Sequence, residues 1–171
     1  MRLSQPSWPR VLPRWLVTGC ATLGPLGRRL PAPGTWGSLA GLLGFVLFLQ
    51  RASIGAVLIA SAIGGYLAVG ICGEAEVRLR KKDPGEIVLD EVVVIPLCFL
   101  GWRSLPIAAP SWAVFLAGFA LFRLFDIVKP FGIARLQRLP AGWGVVADDL
   151  AAALAACATL HIGAWVWTQV C

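Results

Sequence analysis

The stretch GVVADDLAAALAACATLHIGAWVWT, residues 144–168, decides the fold class of this chain. It stays apolar for longer than the roughly 20 residues that a membrane-spanning helix needs. Two adjacent carboxylates, Asp148 and Asp149, nevertheless stand near its start. A charged side chain at the centre of a membrane helix costs roughly 2.5 to 3.5 kcal/mol, so these residues predict a compensating cation.

The whole chain has the composition of an integral membrane protein. Of its 171 residues, 58% are hydrophobic and 14% are charged, whereas about a quarter of the residues in a soluble domain are charged. Apolar windows predict an all-α, polytopic bundle of four or five spans at 36–49, 54–73, 87–101, 111–128 and 144–168. The third is the weakest, and we expect it to be short, tilted or re-entrant. Residues 1–171 are expected to form a single membrane-embedded domain, with 1–32 as an N-terminal cytoplasmic or interfacial segment.

The lysine and arginine residues predict how the chain crosses the membrane. Five precede the first span, four lie in 74–86 and three in 129–143, against one in each of the other two connections and none at the C-terminus. Because cytoplasmic loops are enriched in Lys and Arg, the N-terminus and these two loops are predicted to be cytoplasmic and the C-terminus to lie on the far side. The Lys and Arg residues of these segments explain the net charge of +6, so this charge does not indicate a nucleic-acid partner.

Three further acidic residues lie at the edges of apolar runs, and the predicted topology gathers them with Asp148 and Asp149. Asp90 and Glu91 open the third span, and Asp126 closes the fourth. All five carboxylates are therefore predicted at the cytoplasmic face, where a bound metal would compensate their charge. The structural alternative is that acidic residues in a first helical turn only complement the helix dipole.

Two cations flank one of these carboxylates. Arg123, Asp126 and Lys129 recur every three residues and share one face at the end of the fourth span. In the structural alternative the two cations only neutralise Asp126 as a buried ion pair. In the functional alternative Asp126 holds a metal, while Arg123 and Lys129 bind a phosphate.

The segment PGTWGSL, residues 33–39, enters the first span. It offers glycines such as Gly37, the hydroxyls of Thr35 and Ser38, and backbone N–H groups at a predicted helix start. This chemistry suits an anionic oxygen. A turn with a helix cap is the alternative, and the functional interpretation depends on the nearby acidic motifs.

Two other phosphatase chemistries are not supported. Cys72 and Arg78 have the spacing of cysteine-dependent phosphatases, but Glu74 and Glu76 between them would repel a phosphate dianion. A histidine-nucleophile lipid phosphatase is unsupported because His161 is the single histidine. The five cysteines show no zinc-binding spacing.

Four motifs in order resemble the phosphatidylglycerophosphatase A family: PGTWGSL at 33–39, DPGEIVLDE at 83–91, FRLFDIVKP at 122–130 and GWGVVADD at 142–149. The resemblance covers the chain from about Pro13 to the end of the fifth span. It implies a bacterial, Mg²⁺-dependent phosphatase of the cytoplasmic (inner) membrane. Such an enzyme removes the terminal phosphate of phosphatidylglycerophosphate to leave phosphatidylglycerol, in phospholipid biosynthesis.

The family's motifs assign roles to residues of this chain. The expected catalytic and metal-binding residues are Asp90, Glu91, Asp126, Asp148 and Asp149. The residues expected to bind the substrate phosphate are Thr35, Gly37, Ser38, Arg123 and Lys129. The chain departs from the family pattern at Val94 and Ala153, where glycines are common, and at Gly132, where a proline is common.

The resulting hypothesis is metal-assisted hydrolysis of a phosphomonoester at the cytoplasmic interface. Two or three carboxylates would hold Mg²⁺, and a water would attack phosphorus, with a covalent aspartyl-phosphate left open. A lipid phosphotransferase of the CDP-alcohol type is an alternative, but its DG…AR…G…D…D signature is absent. A cation- or proton-coupled transporter is a second alternative. Two features of the sequence argue against it: the acidic residues gather at one membrane face, and no inverted repeat is visible. A purely structural membrane protein would leave the acids without a purpose, and the oligomeric state is open.

Overall fold

The computed structural model describes residues 4–170, and all regular secondary structure in this range is helical. The α-helices are α1 (Arg14–Thr22), α2 (Pro25–Arg29), α3 (Pro33–Gly44), α4 (Ile54–Leu79), α5 (Leu89–Val94), α6 (Ser111–Val128) and α7 (Gly142–Val170). The π-helical turn Phe45–Leu49 continues α3, and 3-10 turns cover Trp8–Val11, Ile95–Phe99, Trp102–Ser104 and Ile133–Arg138. The predicted all-α class is confirmed.

Three helices, α4, α6 and α7, are long and apolar enough to cross a membrane. Their 26, 18 and 29 residues correspond to about 39, 27 and 43 Å, against a hydrocarbon core of about 30 Å. Residues Pro33–Leu49 form a shorter apolar helix. Four of the five predicted spans therefore coincide with continuous apolar helices, and the number that cross the membrane stays a prediction.

The predicted span at 87–101 is not one continuous helix. Its α-helical part, α5, has six residues and passes into a 3-10 turn that contains Pro96. Proline lacks the N–H of a regular α-helix and its ring collides with the preceding turn, so the helix cannot continue unchanged. Ile95 and Phe99 are buried inside the bundle. This short, broken segment is the one that the sequence marks as weakest.

The connections between the long helices alternate between two ends of the bundle. Gln137 Nε2 donates a hydrogen bond to Asp83 Oδ2 at 3.2 Å, which places the connections after α4 and α6 together. At the opposite end, Trp102 Nε1 donates to the backbone oxygen of Gln50 at 3.3 Å. We call the end that holds Asp83 and Gln137 the basic end, since most loop Lys and Arg residues lie there.

The N-terminal segment packs against the basic end. Val17 and Ala21 of α1 are buried, and α1 contacts α4. Arg78, near the end of α4, pairs with Glu74 at 2.8 Å and donates to the backbone oxygen of Leu12 at 2.9 Å. The described part of the predicted 1–32 segment is thus a set of short helices attached to the bundle, while residues 1–3 lie outside the described residues.

Candidate active site

Arg123 connects three helices at the basic end. Its Nη1 lies 3.1 Å from Glu91 Oε1 on α5, 3.1 Å from Ser38 Oγ on α3, and 2.8 Å from Asp126 Oδ2 on its own helix α6. Its side chain is 17% exposed. The predicted Arg123–Asp126 pair is therefore present, and Glu91 joins it from a segment that is distant in sequence.

Lys129 makes the corresponding connection between α6 and α7. It follows the last residue of α6 in a left-handed conformation with φ +47°, and Pro130 directly after it cannot extend the helix. Its Nζ contacts Asp148 Oδ2 on α7 and lies 3.7 Å from Asp126 Oδ1. Burial lowers the pKa of Lys129, but the hydrogen bond and the charge of Asp148 outweigh it and raise that pKa above its usual value. Lys129 thus carries its positive charge at neutral pH.

The five predicted carboxylates form one cluster around these two cations. Asp90, Glu91, Asp148 and Asp149 are between 3% and 8% exposed. Asp149 lies within electrostatic range of the other four carboxylates. Two cations cannot neutralise five carboxylates if all five are ionised, and unpaired charge in a buried place is costly, so full ionisation of the cluster requires a further cation.

Some polar atoms of the cluster lack a hydrogen bond. Among residues 4–170, no partner is present for Oδ1 of Asp90, Oδ1 of Asp148 or Nε of Arg123, all of which are buried. A buried polar atom without a partner costs about 1 to 3 kcal/mol, and more when charged. Two acceptors and one donor are therefore available inside the cluster for a cation and an anion.

The donor set fits a hard divalent cation. Carboxylate oxygens are the protein ligands that Mg²⁺ takes, and its sites commonly use one or two carboxylates together with waters and substrate phosphates. Within the described range, no three His, Cys, Asp or Glu side chains already form a group that could hold a metal ion. The free oxygens of Asp90 and Asp148 would thus supply protein ligands to an ion completed by other oxygens.

The segment that carries Thr35, Gly37 and Ser38 is helical rather than a loop. Pro33 is the first residue of α3, a position where its fixed φ and missing N–H are favourable. The Ser38 hydroxyl accepts from Arg123, and its one proton can go to the backbone oxygen of Gly34 at 2.7 Å or to Glu91 Oε2 at 3.2 Å. Thr35 is exposed on the first turn. Ser38 therefore belongs to the cluster directly.

Gly37 has a packing role that the sequence did not reveal. A Cβ at Gly37 would lie 2.5 Å from Glu91 Oε2 and 2.7 Å from the Val88 Cβ. Real Cβ atoms do not approach other heavy atoms this closely. The absence of a side chain lets α3 reach α5, so that Ser38 can contact the Glu91 carboxylate. Its predicted role in phosphate binding stays a prediction.

Alanine at Gly37 is expected to lower the stability of the fold. Overpacking costs about 1 to 3 kcal/mol, against a gain of about 1 kcal/mol in helix propensity. The matched control is Gly44→Ala on the same helix, where a Cβ meets no neighbour within 4 Å, and this variant should be slightly stabilised. Thermal unfolding in detergent measures both. Equal melting temperatures for the two variants would contradict the close approach of α3 and α5.

Three other groups with chemically active side chains lie outside the cluster. Glu86 precedes α5 and pairs loosely with Arg28 at 3.9 Å. Cys72 is buried, and Arg78 is occupied by Glu74 and backbone oxygens, which agrees with rejection of a cysteine-phosphatase site. His161 contacts the backbone oxygen of Leu100 at 2.8 Å, toward the opposite end.

This geometry unites four sequence motifs, and comparison with known proteins shows what they share. The family model for Phosphatidylglycerophosphatase A matches residues 19–164. The chain belongs to this family. It is 40% identical over 125 residues to the Phosphatidylglycerophosphatase A of Haemophilus influenzae, covering 72% of this chain and 74% of that one. The resemblance predicted from the motifs is confirmed, and the chain is a phosphatase.

Two further relatives extend the comparison. The Phosphatidylglycerophosphatase A of Escherichia coli K12 is 32% identical over 142 residues, or 79% of this chain and 76% of that one. A Putative phosphatidylinositol-3-phosphatase of Bacteroides thetaiotaomicron is 37% identical over 90 residues, or 50% of this chain and 52% of that one. No solved structure matches the chain significantly. The transporter alternative finds no support among the family's relatives.

Proposed function

We propose that this phosphatidylglycerophosphatase A family member hydrolyses phosphatidylglycerophosphate to phosphatidylglycerol and phosphate, with Mg²⁺, at the cytoplasmic face of the bacterial inner membrane. Two relatives, each matched over about three quarters of its length, carry the name of this activity. The observation that carries the proposal is the placement of Arg123 and Lys129, two partly buried cations, among five carboxylates at one end of the bundle. The two cations can bind a phosphate group, and the carboxylates can bind a metal ion.

Arg123 is the residue best placed to bind the phosphoryl group. Its Nη1 is occupied by Ser38, Glu91 and Asp126, which fixes the guanidinium plane. Its Nε has no partner among the described residues and can donate to a phosphoryl oxygen. Lys129 adds a second positive charge beside Asp148. Both cations would stabilise the negative charge that develops on the phosphoryl oxygens during transfer.

The carboxylates divide into two roles. Asp90 and Asp148, each with an Oδ1 that lacks a hydrogen bond, would hold Mg²⁺ together with oxygens of water and substrate, beside Asp149. When bound, this ion polarises the phosphoryl group and neutralises its charge. Asp126 and Glu91 keep Arg123 in place. A carboxylate that does not engage the cation would accept the proton of the attacking water as the water oxygen bonds to phosphorus. The phosphate ester bond to the lipid breaks in the same step, and the leaving alkoxide takes up a proton, from that carboxyl group or from water, to form the free alcohol.

Removal of divalent cations is expected to abolish phosphate release. Purified protein in detergent would receive phosphatidylglycerophosphate with Mg²⁺ or with EDTA, and inorganic phosphate would be measured. Release should fall to background in EDTA and return when Mg²⁺ is added in excess, because the cluster otherwise lacks the positive charge that its carboxylates need. Undiminished release in EDTA would rule out the metal-assisted mechanism, while absence of release under both conditions would rule out the proposed substrate.

The proposed orientation places the basic end in the cytoplasm, in agreement with the distribution of Lys and Arg. Single cysteines at the exposed positions Lys81 and Ala134, in a chain without its native cysteines, should react with an impermeant maleimide only from the cytoplasmic side. A cysteine at the exposed Arg51, in a connection at the opposite end, is the control and should react only from the periplasm. The reverse pattern would overturn the orientation.

A further inference from the structure

An apolar groove with a volume of about 440 Å³ runs between α4 and α7. Its walls extend from Leu58 to Val69 on α4 and from Trp143 to Leu154 on α7, and Val94 and Leu97 form its floor. Leu58 is 46% exposed and Leu154 is 48% exposed. The groove therefore opens toward the lipid and is not an internal cavity.

The groove exists because α4 and α7 touch at one level and separate below it. A Cβ at Gly142 would overlap the backbone oxygen of Val69 and lie 2.8 Å from the backbone nitrogen of Gly73, so the helices are in backbone contact there. Gly65 lies farther from the basic end, and a Cβ there would meet no atom of a neighbouring helix within 4 Å. The two helices thus leave an open channel that starts at this contact and extends away from the basic end.

The length of the groove matches one leaflet of a bilayer. Each wall covers eleven residue steps, from Val69 to Leu58 and from Trp143 to Leu154, or about 16 Å at about 1.5 Å per residue. Half of a hydrocarbon core of about 30 Å is about 15 Å. The groove is therefore as long as one acyl chain in the leaflet at the basic end.

The groove is formed partly by α5 and α7, the two helices that carry four of the five carboxylates. On α5, Val94 of the floor follows Asp90 by four residues, which places the two on the same helix face. On α7, the wall residues Val146 and Ala147 directly precede Asp148. A lipid whose chain lay in the groove would thus place its headgroup beside the cluster.

We infer that the groove between α4 and α7 binds one acyl chain of the lipid substrate and thereby positions the phosphorylated headgroup at the cluster. The inference rests on the proposed function and adds the part of the protein that recognises the lipid tail. The terminal phosphate of phosphatidylglycerophosphate is separated from the acyl chains by the glycerol backbone, a phosphodiester and a second glycerol. This flexible linker would let the chain lie beside α4 while the phosphate reaches Arg123 on α6.

A phenylalanine at Gly65 tests this role, because it fills the groove where the structure has open space. The matched control is Gly163→Phe, at a position on α7 with equally open surroundings and outside the groove. Both substitutions favour the helix over glycine, so neither should unfold the protein. KM and kcat would be measured for phosphatidylglycerophosphate with long acyl chains and for a water-soluble analogue with short chains.

The expected result is a KM about tenfold higher for the long-chain substrate in Gly65→Phe only, with its kcat and its short-chain KM unchanged. An unchanged long-chain KM, or equal increases for both substrates, would overturn the inference. Phosphatidylglycerol with a photoreactive acyl chain provides a readout that does not need turnover. Labelling of residues 58–69 or 146–154 that Gly65→Phe abolishes supports the groove even if wild-type protein released no phosphate, and labelling confined to other helices refutes it.

Discussion

Asn in place of Asp149 is expected to reduce phosphate release by about a thousandfold, the range associated with loss of a positioned acid or base. Asp149 is 4% exposed and interacts with the other four carboxylates of the cluster. Asparagine preserves the shape of the side chain but removes its charge, and with it the ability to hold a cation or accept a proton. We therefore expect a large effect on kcat and no rescue at high substrate concentration.

The same substitution should leave stability intact. Removing one negative charge from a buried group of five acids and two cations lowers repulsion, so the melting temperature of Asp149→Asn without Mg²⁺ should equal or exceed that of the wild type. Glu86→Gln is the control, since Glu86 lies outside the cluster and its side chain is 36% exposed. Near-wild-type release by Asp149→Asn, or an equal loss in Glu86→Gln, would contradict the assigned role.

Lysine in place of Arg123 is expected to lower kcat/KM by about a hundredfold, or about 2.7 kcal/mol of transition-state stabilisation. Arginine contacts Ser38, Glu91 and Asp126 through one nitrogen and keeps Nε free. Lysine carries a single ammonium group that cannot reproduce a planar, branched donor. The positive charge would remain, but one ammonium group could not contact the residues of the neighbouring helices and the substrate phosphate at the same time.

Stability separates the two functions of Arg123. Arg123→Lys should lower the melting temperature moderately, whereas Arg123→Leu should lower it more, because loss of one partner of a buried ion pair costs about 3 to 5 kcal/mol. Arg28→Lys, at an exposed pair with Glu86, is the matched control and should change neither activity nor stability. Full activity in Arg123→Lys would show that charge alone suffices.

Much of the fold was predictable because the length of an apolar run indicates whether it can form a membrane-spanning helix. The predicted span 111–128 has the bounds of α6, flanked by Pro110 and Pro130. The segment 87–101 was harder, since an apolar run buried in protein resembles one buried in lipid. Pro96 was the local signal that this run would break. In the same way, Pro33 signals that PGTWGSL begins a helix.

The placement of the five acids at one end of the bundle was predictable, whereas their contacts were not, and their roles in catalysis stay a prediction. Loop charges placed the five acids at one end, and the 3-residue spacing predicted the Arg123–Asp126 pair. The contacts of Arg123 with Glu91 and of Lys129 with Asp148 join residues 32 and 19 positions apart. No local pattern encodes such pairs, because they depend on how helices pack after each has formed.

The pairing of Arg123 with Asp126 within α6 has a consequence for biogenesis. These two residues stand one turn apart and neutralise each other at 2.8 Å, so α6 can enter the membrane with its charges already matched. Asp148 on α7 instead contacts Lys129, a residue that the ribosome delivers earlier. The order of synthesis thus supplies Arg123 before Asp126 and Lys129 before Asp148, which lowers the cost of inserting these two carboxylates.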